Sequence, residues 1–204
     1  MIGVLVSGEG TNLQALLDAE LPVVAVASNK PGARALERAD RAGVPSEAFP
    51  LDAFADRAAR DTAMAEWLAG HGVELVVCAG YMHLLDRSFL DRFPERVVNV
   101  HPAPLPDFPG AHPLEDLLAA GAPAAAATVH YLDEGVDSGA VIASEPVPVL
   151  PDAIVAEGDV AAFESARRCH FINPVRWTLY GSCREKPAHR PMRSRCRPVV
   201  PPAP

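Results

Sequence analysis

The feature that most limits what this chain can become is a rhythm. Short apolar runs at residues 2–6, 23–27, 73–79 and 97–100 alternate with segments whose apolar residues fall at helical spacing. A strand with one wet face would alternate apolar and polar residues; a run that is apolar throughout belongs to a strand covered on both faces. Strand and helix in turn give parallel strands joined by crossover helices. The expectation is therefore an α/β fold with a doubly wound, mostly parallel sheet, Rossmann-like in layout. Two later runs, 126–131 and 141–149, have only an acidic loop between them, so an antiparallel or mixed edge is expected late. At 204 residues the chain suits one domain with a real core.

Within that rhythm the turns carry the chemistry. Ser7-Gly8-Glu9-Gly10-Thr11-Asn12 follows the first strand, and Leu13, Leu16 and Leu17 then fall at helical spacing. A Gly-rich turn between strand and helix presents backbone N–H groups and a positive helix end to an anion. It lacks the lysine of the Walker pattern and the full dinucleotide fingerprint, so a plain tight turn stays open as a reading. Ser28-Asn29-Lys30-Pro31-Gly32 closes the second strand, a helix spans 33–42, and Gly43-Val44-Pro45 leads into a short strand. Asp52 is expected to cap a helix running to about His71, with Met64, Trp67 and Leu68 on its apolar face. Arg57 and Arg60 lie near that helix start, where cations are disfavoured unless a ligand needs them. Each taken singly reads as a solvated arginine.

The run at 73–79 leads into Gly80-Tyr81-Met82-His83-Leu84-Leu85, residues that either line an apolar pocket or cover the core. Asp86 is expected to cap a helix to Phe93. Next comes Val97-Val98-Asn99-Val100-His101-Pro102. Alternation puts Asn99 and His101 on one face, and Pro102 stops the strand, leaving His101 at its C-terminal lip. In open α/β sheets ligands bind at that lip. Pro102, Pro104, Pro106 and Pro109 stiffen the loop to Gly110, and a helix is expected at 114–120. Asp133-Glu134-Gly135-Val136-Asp137-Ser138-Gly139 then offers a carboxylate in a Gly-bounded loop. An amide, an imidazole and a carboxylate can together polarise a carbonyl and move a proton. A turn-capping Asn, a satisfied His and a solvated Asp is the plainer reading of the same residues.

Charge narrows the partners. The net charge is −8, and residues 1–165 carry 9 Lys/Arg against 25 Asp/Glu, which argues against nucleic acid. No apolar run is long enough to span a membrane. The chain opens directly on a strand-like run with no basic-then-apolar leader, so a cytoplasmic protein is expected. Cys78 sits in an apolar run and reads as a core residue; Cys169, Cys183 and Cys196 show no metal-binding spacing, so no metal is expected.

Taken in order, these pieces resemble the phosphoribosylglycinamide formyltransferases, which use 10-formyltetrahydrofolate in purine synthesis. The resemblance covers roughly residues 1–150. It rests on Val-Leu-Val-Ser-Gly-Glu-Gly-Thr-Asn-Leu-Gln-Ala-Leu at 4–16, Ser-Asn-Lys at 28–30, Ala-Gly-Tyr-Met at 79–82, Asn-Val-His-Pro at 99–102 and Asp-Glu-Gly-Val-Asp-Ser-Gly at 133–139. It implies the formyltransferase type of α/β sheet, with residues 1–165 as the domain. It implies that Gly10, Thr11 and Asn12 hold the phosphate of glycinamide ribonucleotide, with Arg57 near it. Met82, His83, Leu84 and Leu85 would lie beside the folate pterin and the substrate. Asn99, His101 and Asp137 would be the catalytic trio, with His130 close by. The implied partners are glycinamide ribonucleotide and the reduced folate as co-substrate, with no metal, no nucleic acid and no membrane, in a monomer or weak homodimer.

The chain departs from the family at three local points and, most of all, along its end. It reads His-Pro-Ala-Pro-Leu-Pro at 101–106 where relatives usually have His-Pro-Ser-Leu-Leu-Pro, it runs four alanines at 124–127 where they carry Gly-Thr or Gly-Ala, and it has His83 where many have Arg. The largest departure is residues 166–204. They carry 9 Lys/Arg against Glu185 alone, and Pro187, Pro191, Pro198, Pro201, Pro202 and Pro204 block regular structure. Relatives close instead with an amphipathic helix bearing a Glu-His pair. Residues 166–204 are therefore expected to be an atypical, disordered basic tail, with the content of an unrelated extension or a shifted reading frame. Rival readings are a formyltetrahydrofolate hydrolase, a methionyl-tRNA formyltransferase, and a folate- or nucleotide-binding protein impaired in turnover. The hydrolase would carry an N-terminal regulatory domain, for which the strand at Ile2 leaves no room. The tRNA enzyme would carry a C-terminal barrel and a basic face.

Overall fold

The computed structural model describes residues 1–148; the predicted tail at 166–204 lies outside the described residues. Seven strands form one sheet: β1 Ile2–Val6, β2 Val23–Ser28, β3 Ser46–Ala48, β4 Leu75–Cys78, β5 Val97–His101, β6 Ala124–Tyr131 and β7 Val141–Pro148. Five helices join them: α1 Thr11–Asp18, α2 Arg34–Arg41, α3 Arg57–Gly70, α4 Arg87–Leu90 and α5 Pro113–Ala119. The spatial order is β3-β2-β1-β4-β5-β6-β7. The first five positions pair parallel, and β6 and β7 pair antiparallel, the mixed edge expected from the missing helix between them.

Strand alternation sorts the core into two layers. From β1, Ile2, Val4 and Val6 pack with Leu13 and Leu16 of α1 and Ala35 and Ala39 of α2. Leu5 points the other way, into a layer with Met64, Ala65 and Leu68 of α3 and with Phe89 and Phe93. Cys78 is buried in this second layer. Covering both faces is what lets the strands be apolar throughout. A smaller cluster of Ala103, Leu117, Ala125 and Val147 seats α5 beside the antiparallel edge.

Three local expectations change. Asp52 does not cap the third helix; it sits in a one-turn 3-10 segment, Leu51–Ala53. Phe54 stacks on Phe49, with ring centroids 6.3 Å apart, and this turns the chain before the helix starts. Asp56 takes the capping role and accepts from the Ala59 N–H at 2.8 Å. Asp86 does cap α4, but the helix ends at Leu90 and the chain runs on to Phe93 in tighter turns, the Arg92 and Phe93 N–H groups donating to the Phe89 and Leu90 carbonyls three residues back; Pro94 disfavours any further helical turn. Arg60 is neither solvated nor surface-bound but fully buried. No helix among the described residues is long and apolar enough to cross a membrane.

Candidate active site

The sheet reverses its winding between β1 and β4. The chain leaves β1 toward β2 and β3, then returns to place β4 on the other side. Loops after such neighbouring strands diverge and leave a crevice at their C-terminal ends. The Ser7 hydroxyl, just past β1, accepts from the Met82 N–H at 2.9 Å and so ties the two loops at the head of the crevice.

The loop after β1 is built tightly. Gly10 is the N-cap of α1 in left-handed conformation, φ 70°. A Cβ there would lie 2.6 Å from the Ala35 Cβ and 2.7 Å from its Cα, so the turn lies directly against α2. The Ala35 N–H donates to the Gly8 carbonyl at 3.0 Å, and Arg38 Nε donates to the Glu9 carbonyl at 2.7 Å. Arg34 pairs with the Glu9 carboxylate at 2.9 Å. Thr11 opens the helix. Asn12 is buried, and its side-chain oxygen has no hydrogen-bond partner among the described residues.

The loop after β4 opens outward. Met82 and Leu84 are 69% and 51% exposed, unusual for apolar side chains of this size, and His83 is exposed between them. Leu85 differs: it is buried under α3 and α4. Arg57 reaches the Asp86 carboxylate at 3.8 Å, which places it beside this loop.

The third component lies past the end of β5. Pairing with β6 sets Asn99 opposite His130 and His101 opposite Thr128. Because opposed residues share a face, His130 joins Asn99 and His101 without being near them in sequence. Asp137 reaches in from the loop between β6 and β7. Asn99 Nδ2 lies 3.2 Å from His130 Nε2 and 3.4 Å from Asp137 Oδ1. His101 Nδ1 lies 3.4 Å from Asp137 Oδ2, and His130 Nε2 lies 3.4 Å from Asp137 Oδ1. The Gly110 N–H donates to Asp137 Oδ2 at 2.9 Å. His101 Nε2 donates to the Phe108 carbonyl at 2.6 Å, and His130 Nδ1 to the Tyr131 carbonyl at 2.9 Å, which fixes both rings.

The loop that presents Asp137 is held from within. Asp133 Oδ1 accepts from the Gly135 N–H at 3.0 Å and the Ser138 hydroxyl at 2.7 Å. Asp137 itself has φ 52°, the left-handed region that aspartate tolerates better than most residues. A side chain at Gly139 would strike the Tyr131 carbonyl, so the loop closes against β6 only with glycine. Burial works to raise the Asp137 pKa, but hydrogen bonds from His130 and the Gly110 N–H, with the nearby imidazole charges, outweigh it. The carboxyl is held below its ordinary value. An ionised carboxylate ringed by N–H donors can orient an imidazole and accept a positive charge beside it.

The structure thus brings Asn99, His101, His130 and Asp137 into one cluster, with Gly10–Asn12 and Met82–Leu84 on the loops that border the β1/β4 crevice. Sequence reasoning missed the backbone groups: the Phe108 carbonyl and the Gly110 N–H come from a loop read only as stiff. It also missed Arg60 and Asp61; two adjacent charged residues on a helix carry no signal of burial.

An α/β sheet with this crevice and this amide–imidazole–carboxylate cluster defines a class, and the comparisons agree. Residues 1–160 match the formyl transferase family, and the chain belongs to it. It is 45% identical over 152 residues to the phosphoribosylglycinamide formyltransferase of Mycobacterium tuberculosis, covering 72% of this chain and 70% of that one. It is 43% identical over 159 residues to the trifunctional purine biosynthetic protein adenosine-3 of Drosophila melanogaster, covering 74% of this chain; it spans 12% of that relative's length. The crystal structure of glycinamide ribonucleotide transformylase 1 from Symbiobacterium toebii superposes with a TM-score of 0.82 at 40% identity, covering 88% of this chain and 87% of that one.

Proposed function

We propose that this protein transfers the formyl group of 10-formyltetrahydrofolate to the primary amine of glycinamide ribonucleotide, by direct attack. The observation that carries the reading is the cluster at the end of β5, where Asn99 and two histidines converge on the Asp137 carboxylate. Three side-chain nitrogens face that carboxylate at 3.4 Å, longer than a well-formed hydrogen bond. Donors held this loosely are free to turn toward a ligand oxygen, and catalytic contacts commonly tighten only with substrate bound.

The amine lone pair adds to the formyl carbon, and the carbonyl π electrons move to oxygen. The Asn99 amide N–H and a His101 imidazolium N–H stabilise that oxygen as its charge grows. The intermediate collapses, the carbon–nitrogen bond to the folate breaks, and the folate nitrogen takes up a proton. The attacking nitrogen, cationic once its lone pair has formed the new carbon–nitrogen bond, gives up one of its N–H protons. His101, held at Nε2 by the Phe108 carbonyl, exchanges its proton at Nδ1: it gives that proton to the departing folate nitrogen and takes the one released by the amine, with the Asp137 carboxylate favouring the charged ring. Gly10, Thr11 and Asn12 take the ribonucleotide phosphate at the start of α1, where the N–H groups of a helix's first turn and the helix dipole favour an anion. Met82, His83 and Leu84 face the folate and substrate, Leu85 supports them from the core, Arg57 supplies positive charge at the pocket edge, and His130 positions Asn99.

The test is a formyl-transfer assay with both substrates. Formylated glycinamide ribonucleotide appearing with loss of 10-formyltetrahydrofolate supports the proposal. Formate release without acceptor would replace it with a hydrolase, and tight binding of both ligands without product would replace it with a binding protein.

A further inference from the structure

Beneath the loop after β4 lies a charged group that the chemistry above does not use. Arg60 and Asp61, adjacent on α3, are both fully buried. Arg60 Nε donates to Asp61 Oδ1 at 2.7 Å. Nη2 lies equally close to that oxygen but points its N–H bonds elsewhere, so it adds attraction without a hydrogen bond. Asp61 Oδ2 accepts from the Asp86 N–H at 2.7 Å. Arg60 Nη1 lies 2.8 Å from His83 Nδ1. The pair therefore clamps the loop at two points, the His83 side chain and the Asp86 backbone.

The contact to His83 has a chemical consequence. A guanidinium has five donors and no acceptor, and it does not deprotonate in proteins. At 2.8 Å from Nη1, His83 Nδ1 must therefore be the acceptor and carry no proton. A neutral imidazole then has its proton on Nε2. The ring is exposed while Nδ1 is tied to a buried partner, so its free edge carries the Nε2–H outward. We infer that Arg60 is a positioning residue that fixes His83 as a neutral imidazole, giving the pocket one uncharged, directed donor for a ligand oxygen. This rests on the proposal that residues 82–85 line the substrate pocket.

The surrounding charges agree with the geometry. Partial desolvation comes first and the Arg60 charge second in pushing the His83 pKa below its ordinary value. Lys30 adds to this and Asp61 opposes it. The Tyr81 ring lies 6.0 Å from the imidazole between centroids. A cationic His83 would set two positive charges in contact, while the Asp61 carboxylate is already engaged by Arg60 and the Asp86 N–H.

The decisive measurement needs no activity. Two-dimensional 15N–1H spectra of the full chain report the protonation of each histidine nitrogen, and His83→Gln identifies the His83 signals by their loss. The expected result is an unprotonated Nδ1 and a protonated Nε2 at neutral pH, with the ring still neutral near pH 6.5, where an unperturbed histidine is half charged. A proton on Nδ1, or an imidazolium at pH 7, overturns the inference. The second measurement uses the charge-balanced Arg60→Met/Asp61→Asn variant, which keeps an acceptor for the Asp86 N–H. His83 should then titrate near its ordinary value, and KM for the ligand it contacts should rise about tenfold, the worth of one directed hydrogen bond, with the effect on KM rather than kcat. Assaying KM for each substrate separately shows which ligand supplies the oxygen. A folded double variant with His83 titration and both KM values unchanged overturns the inference; if the variant does not fold, the wild-type spectra decide alone. Absence of formyl transfer in the wild type would remove the proposed function and leave the His83 tautomer to stand or fall on its spectra.

Discussion

Gly10→Ala separates two physical costs at one residue. Gly10 has φ 70°, where a Cβ costs an L-residue about 1–2 kcal/mol. The added Cβ would also lie 2.6 Å from the Ala35 Cβ and 2.7 Å from its Cα. Such overlap forces the turn and α2 apart, at about 1–3 kcal/mol. Together the variant should lose about 2–5 kcal/mol, a Tm drop on the order of 5–20 °C for a chain of this size. Ala35→Gly should cost about 1 kcal/mol in helix propensity. In the double variant Gly10→Ala/Ala35→Gly the overlap with the Ala35 Cβ disappears, while the 2.7 Å approach to the Ala35 Cα and the backbone cost at Gly10 remain, so the two changes should couple favourably by only part of the steric cost, about 1 kcal/mol. Urea unfolding of all four proteins gives the cycle, and KM for the ribonucleotide follows the turn itself. Additive losses, or a Gly10→Ala protein as stable as the parent, would refute the close approach of turn and helix.

The remaining predictions follow from the same geometry. Asn99→Ala, His101→Ala and Asp137→Ala should each lose about a hundredfold or more in kcat while still folding cooperatively; near-normal turnover of the His101 variant would sink the proposed chemistry. Asp137 is held below its ordinary value of 3.8, so its ionised form stabilises the fold above that pH, and the contribution fades as pH falls through the lower folded value. Asp137→Asn should therefore lose less stability than the parent between neutral pH and about pH 3, by denaturant titration at each pH. Asp56→Ala should cost about 1 kcal/mol and Asp52→Ala close to nothing, since only Asp56 accepts an N–H at the start of α3; equal effects would contradict the observed cap.

Much of this site is legible in the sequence, for physical reasons. β5 announces itself because a fully buried strand must be apolar, so Asn99 stands out within it, and Pro102 marks where the strand ends. The turn at Gly10 is visible because the left-handed conformation calls for glycine. Asp52 and Asp56 are not distinguishable that way. Both are good caps four residues apart, and the Phe54 stack on Phe49, a tertiary contact, decides between them. Arg60 is misread, and Asp61 passed over, for the same cause: a charged pair on a helix reads as surface unless the loop that buries it is known. His130 reaches the cluster through strand register, which spacing alone does not reveal.

The bond from the Met82 N–H to Ser7 Oγ spans 75 residues of sequence yet joins the two loops at the head of the crevice. Before any ligand arrives, the anion turn and the apolar loop are already in register. Neither half-site needs the other's occupant to assemble it. For the proposed substrates the expected outcome is binding in random order, with each ligand's dissociation constant nearly indifferent to the other. Ser7→Ala should make the first arrival organise the pocket for the second, turning independent binding into cooperative binding, which calorimetric titration in both orders would register.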